Sequence, residues 1–356
     1  MEKRVEECGD KVILLGKSPK ELKTLAVSWG MPAYTGSQLV DWIYHKRATS
    51  FDLMSNISLK HREILSKRAD VGLYAPIKEA ISIDGTRKYL FEVGEGKFVE
   101  TVLIPEGERN TLCISSQVGC KMNCYFCMTG KQGFRGNLTS AQILNQCLSL
   151  PIWEKVSNIV FMGMGEPMDN IDNVLQTIQL LTDPNTLAMS PKRITVSTVG
   201  INHGIHRFLE ECQCHLAISL HNPIPYERAN LMPAEKAMPI NELIKLLQKY
   251  DFTKQRRITF EYIVFSGFND TPTHLQALIK IARNFPSCRL NLIRYHKIPL
   301  VDLPETNDKQ LQAFFNALVA NAVNVTIRQS RGEDIDAACG MLSTKQLVEK
   351  RTSESV

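Results

Sequence analysis

Apolar residues along the chain repeat with two different periods. Between residues 14 and 70 they recur at helical spacing, and the local signals agree. Ser18-Pro19-Lys20-Glu21 reads as a capping box with proline at the first helical position, and Gly30 stands where a C-cap glycine would. A second helix is predicted over Gln38–His45 and a third from near Ser58, so residues 1–78 are expected to form a small helical domain. At residue 79 the period changes to two. EAISID, KYLFEV and FVETVLI alternate, separated by Asp84-Gly85 and Gly94-Glu95-Gly96, which predicts a short antiparallel extension over 79–109.

From residue 110 short apolar strands alternate with helix-period stretches. The strands are TLCISS, NIVFMGM, RITVSTV, HLAISLH, ITFEYIVF, RLNLIRYH and NVTIRQ; the helical stretches lie at 139–150, 171–182, 239–250, 271–284 and 306–321. Such a series predicts an α/β domain over 110–344 built on a parallel sheet, open or closed into a barrel. Ligands of such sheets sit on the loops that follow the carboxyl ends of the strands. The polar stretch 345–356 is expected to be a mobile tail.

With 356 residues, 44% apolar and 22% charged, the chain has the make-up of a soluble protein with one large and one smaller domain. No apolar run reaches the roughly 18 residues of a membrane span, and the charged start MEKRVEECGD lacks the apolar core of a secretory signal. A cytoplasmic protein with no membrane partner is expected. The net charge is +5, and residues 1–78 carry 13 Lys/Arg against 9 Asp/Glu, a net of +4. That placement fits a module facing nucleic acid, although a solvated helical surface gives the same count.

Four of the ten cysteines crowd into Cys113–Cys127, a spacing that points to metal binding or chemistry rather than to disulfides. Cys120, Cys124 and Cys127 form C-x3-C-x2-C on the loop after the first barrel strand. Three thiolates in one tight loop can hold three irons of a [4Fe–4S] cubane and leave the fourth open as a Lewis-acidic docking point. A zinc site of these three with Cys113 is a weaker reading, because zinc ribbons pair two separate C-x2-C turns. A thioredoxin-like Cys124/Cys127 pair leaves Cys120 without a role. Cys147, Cys212, Cys214 and Cys288 read as core packing.

The motif, with Phe126 before its third cysteine, resembles that of radical S-adenosylmethionine (SAM) enzymes, which implies a partial, open parallel β/α barrel. Gly163-Met164-Gly165-Glu166-Pro167 looks like their "GGE" segment, where glycines allow close backbone approach and a carboxylate takes the SAM amine. More specifically, RNTLCISSQVGCKMNCYFC, FMGMGEP, STVG, ISLHNP, LMPAEKAMPI and RGEDIDAACG resemble, in order and spacing, the RlmN-type methyltransferases that methylate carbon 2 of adenosine in 23S ribosomal RNA and in tRNA. LLGKSPKEL, QLVDWIYHK and ATSFDLMSNIS look like that family's N-terminal RNA-binding part. The resemblance implies two SAM molecules per turnover, a methyl carried on Cys339, a resolving thiol at Cys113 that forms a transient disulfide with it, and a proton acceptor at Glu100. Without it, Glu100 reads as a surface acid in a strand. SAM contacts carry over to Gly165, Glu166, Ser197, Ser219, Leu220 and His221. The family's asparagine after the sixth strand is His296 here, whose ring cannot copy an amide's adjacent donor and acceptor. The scheme needs an electron donor such as a flavodoxin or ferredoxin, and nothing in the sequence demands more than a monomer. A sister branch methylates carbon 8 of the same rRNA adenosine with the same cysteines; Pro167 after Gly165-Glu166 marks the carbon-2 branch. A non-catalytic RNA-binding protein with structural zinc would instead have no need of Cys339.

Overall fold

The structure, a computed structural model, describes residues 11–344 except Glu95, Lys254, Gln255 and Leu300; the predicted tail 345–356 lies outside the described residues. The predicted alternation appears as one ten-stranded sheet. Its strands are β1 (Lys78–Ile81), β2 (Arg87–Glu92), β3 (Phe98–Glu106), β4 (Arg109–Cys113), β5 (Asn158–Phe161), β6 (Ile194–Thr198), β7 (His215–Ser219), β8 (Ile258–Val264), β9 (Arg289–Arg294) and β10 (Val325–Arg328). They lie side by side in chain order. Pairs from β1 to β4 are antiparallel, and every pair from β4 to β10 is parallel. This is the α/β fold of an open, mostly parallel barrel sheet. The two predicted hairpins are not an appendage, since β3 pairs Val102 with Cys113 and so continues the barrel sheet at its β4 edge.

Helices follow the parallel strands at Ser140–Leu148, Ile171–Thr182, Asn202–Glu211, Ile240–Leu247, Pro272–Asn284 and Asp308–Ala320. Asn202–Glu211 was not among the predicted stretches. At Gly204, near its start, a Cβ would meet Met168 Cβ at 2.5 Å, so close packing calls for glycine. No helix of the described residues is long and apolar enough to cross a membrane.

The described residues before Ile77 cluster with Leu138–Lys155 and Asp172–Ser190 into one compact unit; the remainder, with the whole ten-stranded sheet, forms a second. In the first unit the predicted capping box starts the helix Pro19–Ser28: Ser18 Oγ accepts from the Glu21 amide, and Glu21 Oε2 accepts from the Ser18 amide at 2.7 Å. Tyr34–Val40 runs on through a π-turn at Asp41–His45, and Leu59–Arg68 is capped by Ser58. Sixty residues of short helix bury little apolar surface alone. Here they share a unit with two helices from later in the chain: Gln176 Nε2 donates to the Gly16 carbonyl at 2.9 Å, and Arg47 Nη1 to that of Leu150 at 3.1 Å.

Candidate functional site

The site lies on the loops beyond β4 to β7 and β10, all in the second unit. After β4, Ile114 still bonds to Val160, and Ser116 to Met164, before the chain turns at Gly119. Gly119 has φ +72°, and a Cβ there would overlap the Gly133 carbonyl at 1.6 Å, so the loop closes only on glycine. Asn123, at φ 47°, supplies a second left-handed residue of a type that tolerates it. Cys120, Cys124 and Cys127 are thereby set around one cavity of ≈ 170 Å³. Burial pushes the Cys120 thiol up to about 12 and raises those of Cys124 and Cys127. Such thiols ionise only beside a compensating cation, which is what bound iron provides. Among the described residues no three His, Cys, Asp or Glu are gathered for a single metal ion. One zinc at bonds of about 2.3 Å needs sulfurs roughly 4 Å apart; a cubane asks less, because each thiolate binds its own iron. The donor set therefore fits a cluster better than a zinc ion.

The second loop, after β5, runs against the first. A Cβ on Gly163 would meet the Ile114 backbone at 2.8 Å, and one on Gly165 (φ +101°) the Gln117 amide nitrogen at 2.7 Å. The Glu166 amide donates to Gln117 Oε1. Its carboxylate accepts from the amides of Met168 (3.0 Å) and Val199 (2.9 Å), and burial outweighs these bonds to raise its pKa to about 7. Ser197 and Ser219 place their hydroxyls 3.4 Å apart on the same cavity. His221, at φ 51°, is held neutral by burial and by the Arg228 charge, its pKa lowered to about 3. Its Nδ1 accepts from the Ile263 amide, which leaves the proton on Nε2, and its ring meets Phe126 edge-on at 4.8 Å.

Sequence reasoning passed over the group that ties these loops together. Arg228 is fully buried; its Nε donates to the Leu220 carbonyl (3.0 Å) and its Nη2 to those of Val199 (2.9 Å) and Ser219 (3.0 Å), while Nη1 pairs with Glu235. Both partners belong to polar-looking stretches, ERANLMPAEK, whose pattern gives no sign of burial.

Cys113, at the end of β4, and Cys339, beyond β10, line the same cavity as the three clustered cysteines. Burial and the neighbouring Cys339 push the Cys113 thiol up to about 12; Cys339 is exposed. Its loop is pinned on both sides. Upstream, Asp334 accepts from Ser82 Oγ (2.5 Å) and the Ile83 amide (3.2 Å), and Asp84 accepts from the Gly332 amide (3.0 Å). Downstream, the Gly340 carbonyl accepts from the Met128 amide (2.8 Å), and that of Leu342 from Thr129 Oγ1 (2.7 Å). The β1–β2 hairpin thus holds one flank and the cysteine loop the other.

Three expected site residues stand elsewhere. Leu220 buries its side chain in the core, leaving its backbone near the site. His296 lines only a second, larger cavity, with Nε2 2.6 Å from Ser330 Oγ. Glu100 lines neither. It is not the surface acid that the bare sequence suggests: it is 4% exposed, its carboxylate 3.1 Å from Lys88 Nζ and 3.0 Å from the Ser343 amide, and burial raises its pKa against the Lys88 charge. Cys147, Cys212, Cys214 and Cys288 are buried away from these cavities.

Comparison with known proteins agrees in extent. The family model of the radical SAM superfamily matches residues 114–278, and that of the ribosomal RNA large subunit methyltransferase N-terminal domain matches residues 12–71. The chain is 55% identical over 344 residues to a probable dual-specificity RNA methyltransferase RlmN of Porphyromonas gingivalis, with 97% of each covered. It is 39% identical over 359 residues to the dual-specificity RNA methyltransferase RlmN of Desulfotalea psychrophila, covering 97% of the chain and 99% of the relative. Among solved structures, a radical SAM methyltransferase from Sphaerobacter thermophilus superposes with TM-score 0.88 at 34% identity, over 93% of this chain and 99% of the other.

Proposed function

Because the chain belongs to the RlmN RNA methyltransferases of the radical SAM superfamily, we propose that it methylates carbon 2 of adenosine in 23S ribosomal RNA and in tRNA, with its carbon carried on Cys339. The observation that carries this reading is that Cys113 and Cys339, which a SAM-cleaving site alone does not need, share one cavity with Cys120, Cys124 and Cys127.

Carbon 2 of adenine is not nucleophilic, so direct polar transfer from SAM fails there. Cys120, Cys124 and Cys127 would hold a [4Fe–4S] cluster, which, reduced by a flavodoxin or ferredoxin, would supply the electron that cleaves SAM and would take one electron back from the RNA adduct. The protein's residues do the rest. Glu166, Ser197, Ser219 and His221 orient SAM. As a thiolate, Cys339 accepts a methyl group from one SAM, releasing S-adenosylhomocysteine, and this methyl gives a hydrogen atom to the adenosyl fragment cleaved from a second SAM. The carbon on Cys339 then bonds to C2 of the adenine. The family resemblance gives the C2 proton to Glu100, which lines neither cavity in this structure; burial raises its pKa in the direction a base needs. The Cys113 thiolate attacks the Cys339 sulfur, so that the S–S bond forms as the S–C bond breaks, and the released carbon takes up a proton to become the methyl group on C2. The exposure of Cys339 and the burial of Cys113 support this division of labour.

Mass spectrometry of RNA nucleosides from a methylation-deficient host expressing the protein tests the reading. 2-Methyladenosine is expected; 8-methyladenosine as the main product, or an iron-free, colourless protein after anaerobic purification, would contradict it.

A further inference from the structure

Glu261 and Arg328 have no part in the scheme so far, yet both line the smaller cavity and a larger one of ≈ 460 Å³, and Cys339 is on both as well. Glu261 stands on β8 with its side chain 5% exposed. Its Oε1 is fully engaged, accepting from Thr259 Oγ1 (3.0 Å) and Asn291 Nδ2 (2.7 Å), and Asn291 is fixed in turn by Thr326 Oγ1 at 2.7 Å. These bonds hold the carboxylate rigidly. Its Oε2 is buried and has no hydrogen-bond partner. The nearest cation, Arg328 Nη1, is 3.7 Å away, beyond hydrogen-bond reach. A buried carboxylate oxygen in this state is costly unless a ligand donates to it. Arg328 projects from β10 with Nη1 3.4 Å from Met162 Sδ. It lies in the field of Cys339 and Glu261, which favours its charged form. A fixed acceptor and a permanent donor thus stand side by side on the wall of the cavity that carries Cys339.

We propose that Glu261 and Arg328 read the Watson–Crick edge of the target adenine, Oε2 of Glu261 accepting from the 6-amino group and the Arg328 guanidinium donating to N1. This rests on the carbon-2 reading above. Enzymes that act on a base outside its stack recognise it by that edge. Adenine offers a donor at N6 beside an acceptor at N1, the complement of this pair. The next ring atom after N1 is C2, so the same grip turns C2 toward the third functional group on this wall, Cys339. Guanine and hypoxanthine present the reverse order, an acceptor at C6 and a donor at N1, and both contacts would become repulsive.

The test uses the iron-loaded, full-length protein without reductant, so that only binding is measured. The RNA fragment that the protein methylates is synthesised with adenosine, purine riboside (no 6-amino group) or 1-deazaadenosine (no N1 acceptor) at the target position. Wild-type protein is expected to bind the adenosine RNA at least about tenfold more tightly than either analogue, as for a lost hydrogen bond to a charged group. In Glu261→Gln the preference over purine riboside should collapse toward unity while that over 1-deazaadenosine persists; in Arg328→Met the pattern should reverse. Each comparison is a ratio within one protein, so general damage cancels. Should a variant fail to fold, the wild-type comparison still decides: equal affinity for adenosine and both analogues overturns the proposal. So does an Glu261→Gln protein with weakened SAM binding and an unchanged preference over purine riboside, which would put the carboxylate on SAM. A reduced wild-type reaction on the adenosine fragment tells the two levels apart. If 2-methyladenosine forms but the ratios do not move, only this inference falls; if none forms, the carbon-2 reading falls with it.

Discussion

Glu166 illustrates what a single residue shows in sequence and in space. Gly165-Glu166 stands out as a pair once the cysteine motif is seen, but nothing in the sequence says that the carboxylate also accepts from the Met168 and Val199 amides across two loops. Burial raises its pKa to about 7, so near pH 6 the free protein holds Glu166 mostly protonated. On the proposed reading the SAM ammonium binds there, which would favour the ionised form and release a proton. Affinity for SAM should therefore rise as pH increases through 7, roughly fivefold between pH 6 and 7.5, and fall again above about pH 8, where the α-amino group of SAM loses its own proton. Calorimetric titration at several pH values checks this, and the rise should vanish in Glu166→Gln; a flat profile in the wild-type protein would contradict the role. Glu100 teaches the opposite lesson. Alternation in FVETVLI gives it the outward place, and only the structure shows Lys88 and the Ser343 amide enclosing it. Glu261, Arg328 and Arg228 were likewise unreadable, since a charged residue inside a barrel sits in the same local pattern as one facing water.

Among the elements, the seven parallel strands were legible because each is an apolar run bounded by turn residues. The hairpins were legible from Asp84-Gly85 and Gly94-Glu95-Gly96. Their purpose was not, because it depends on a segment some 250 residues away in the chain. Ser82, Asp84 and Asp334 fasten the loop of Cys339, and hydrogen bonding to Thr86 and Gly332 keeps the Asp84 carboxyl at about 2 despite its partial burial. Replacing Asp84 by Ala, or Asp334 by Asn, should loosen that loop. RNA methylation should fall several-fold while iron content and the SAM dissociation constant stay put. Parallel loss of iron would show instead that the hairpin supports the whole site. The missed helix Asn202–Glu211 has a local cause as well: Gly204 serves close packing, a role a glycine in sequence does not distinguish from a break.

At the scale of the whole molecule, the sequence marked residues 1–78 as a basic helical segment but could not say which later helices join it, because helical period carries no partner information. The compact unit also takes in Leu138–Lys155 and Asp172–Ser190. Deleting the segment would strip apolar partners from those helices, so charge reversal is the cleaner probe. Lys20, Lys60 and Lys67 are exposed. Replacing all three by Glu should weaken RNA binding and make it less steeply dependent on salt, by about one unit of logarithmic slope per lost phosphate contact. Unchanged affinity and slope would remove these lysines from the RNA-facing surface. The central claim is that one cavity brings a cluster site together with a cysteine that carries carbon to RNA and a second that releases it. Its most direct test is gel electrophoresis of the iron-loaded Cys113→Ala protein after reaction with SAM, reductant and RNA. The account predicts a slow-migrating protein–RNA adduct that collapses with RNase, maps to Cys339 and is absent from the Cys113→Ala/Cys339→Ala protein. A folded Cys113→Ala protein that binds SAM and RNA yet forms no adduct would contradict it.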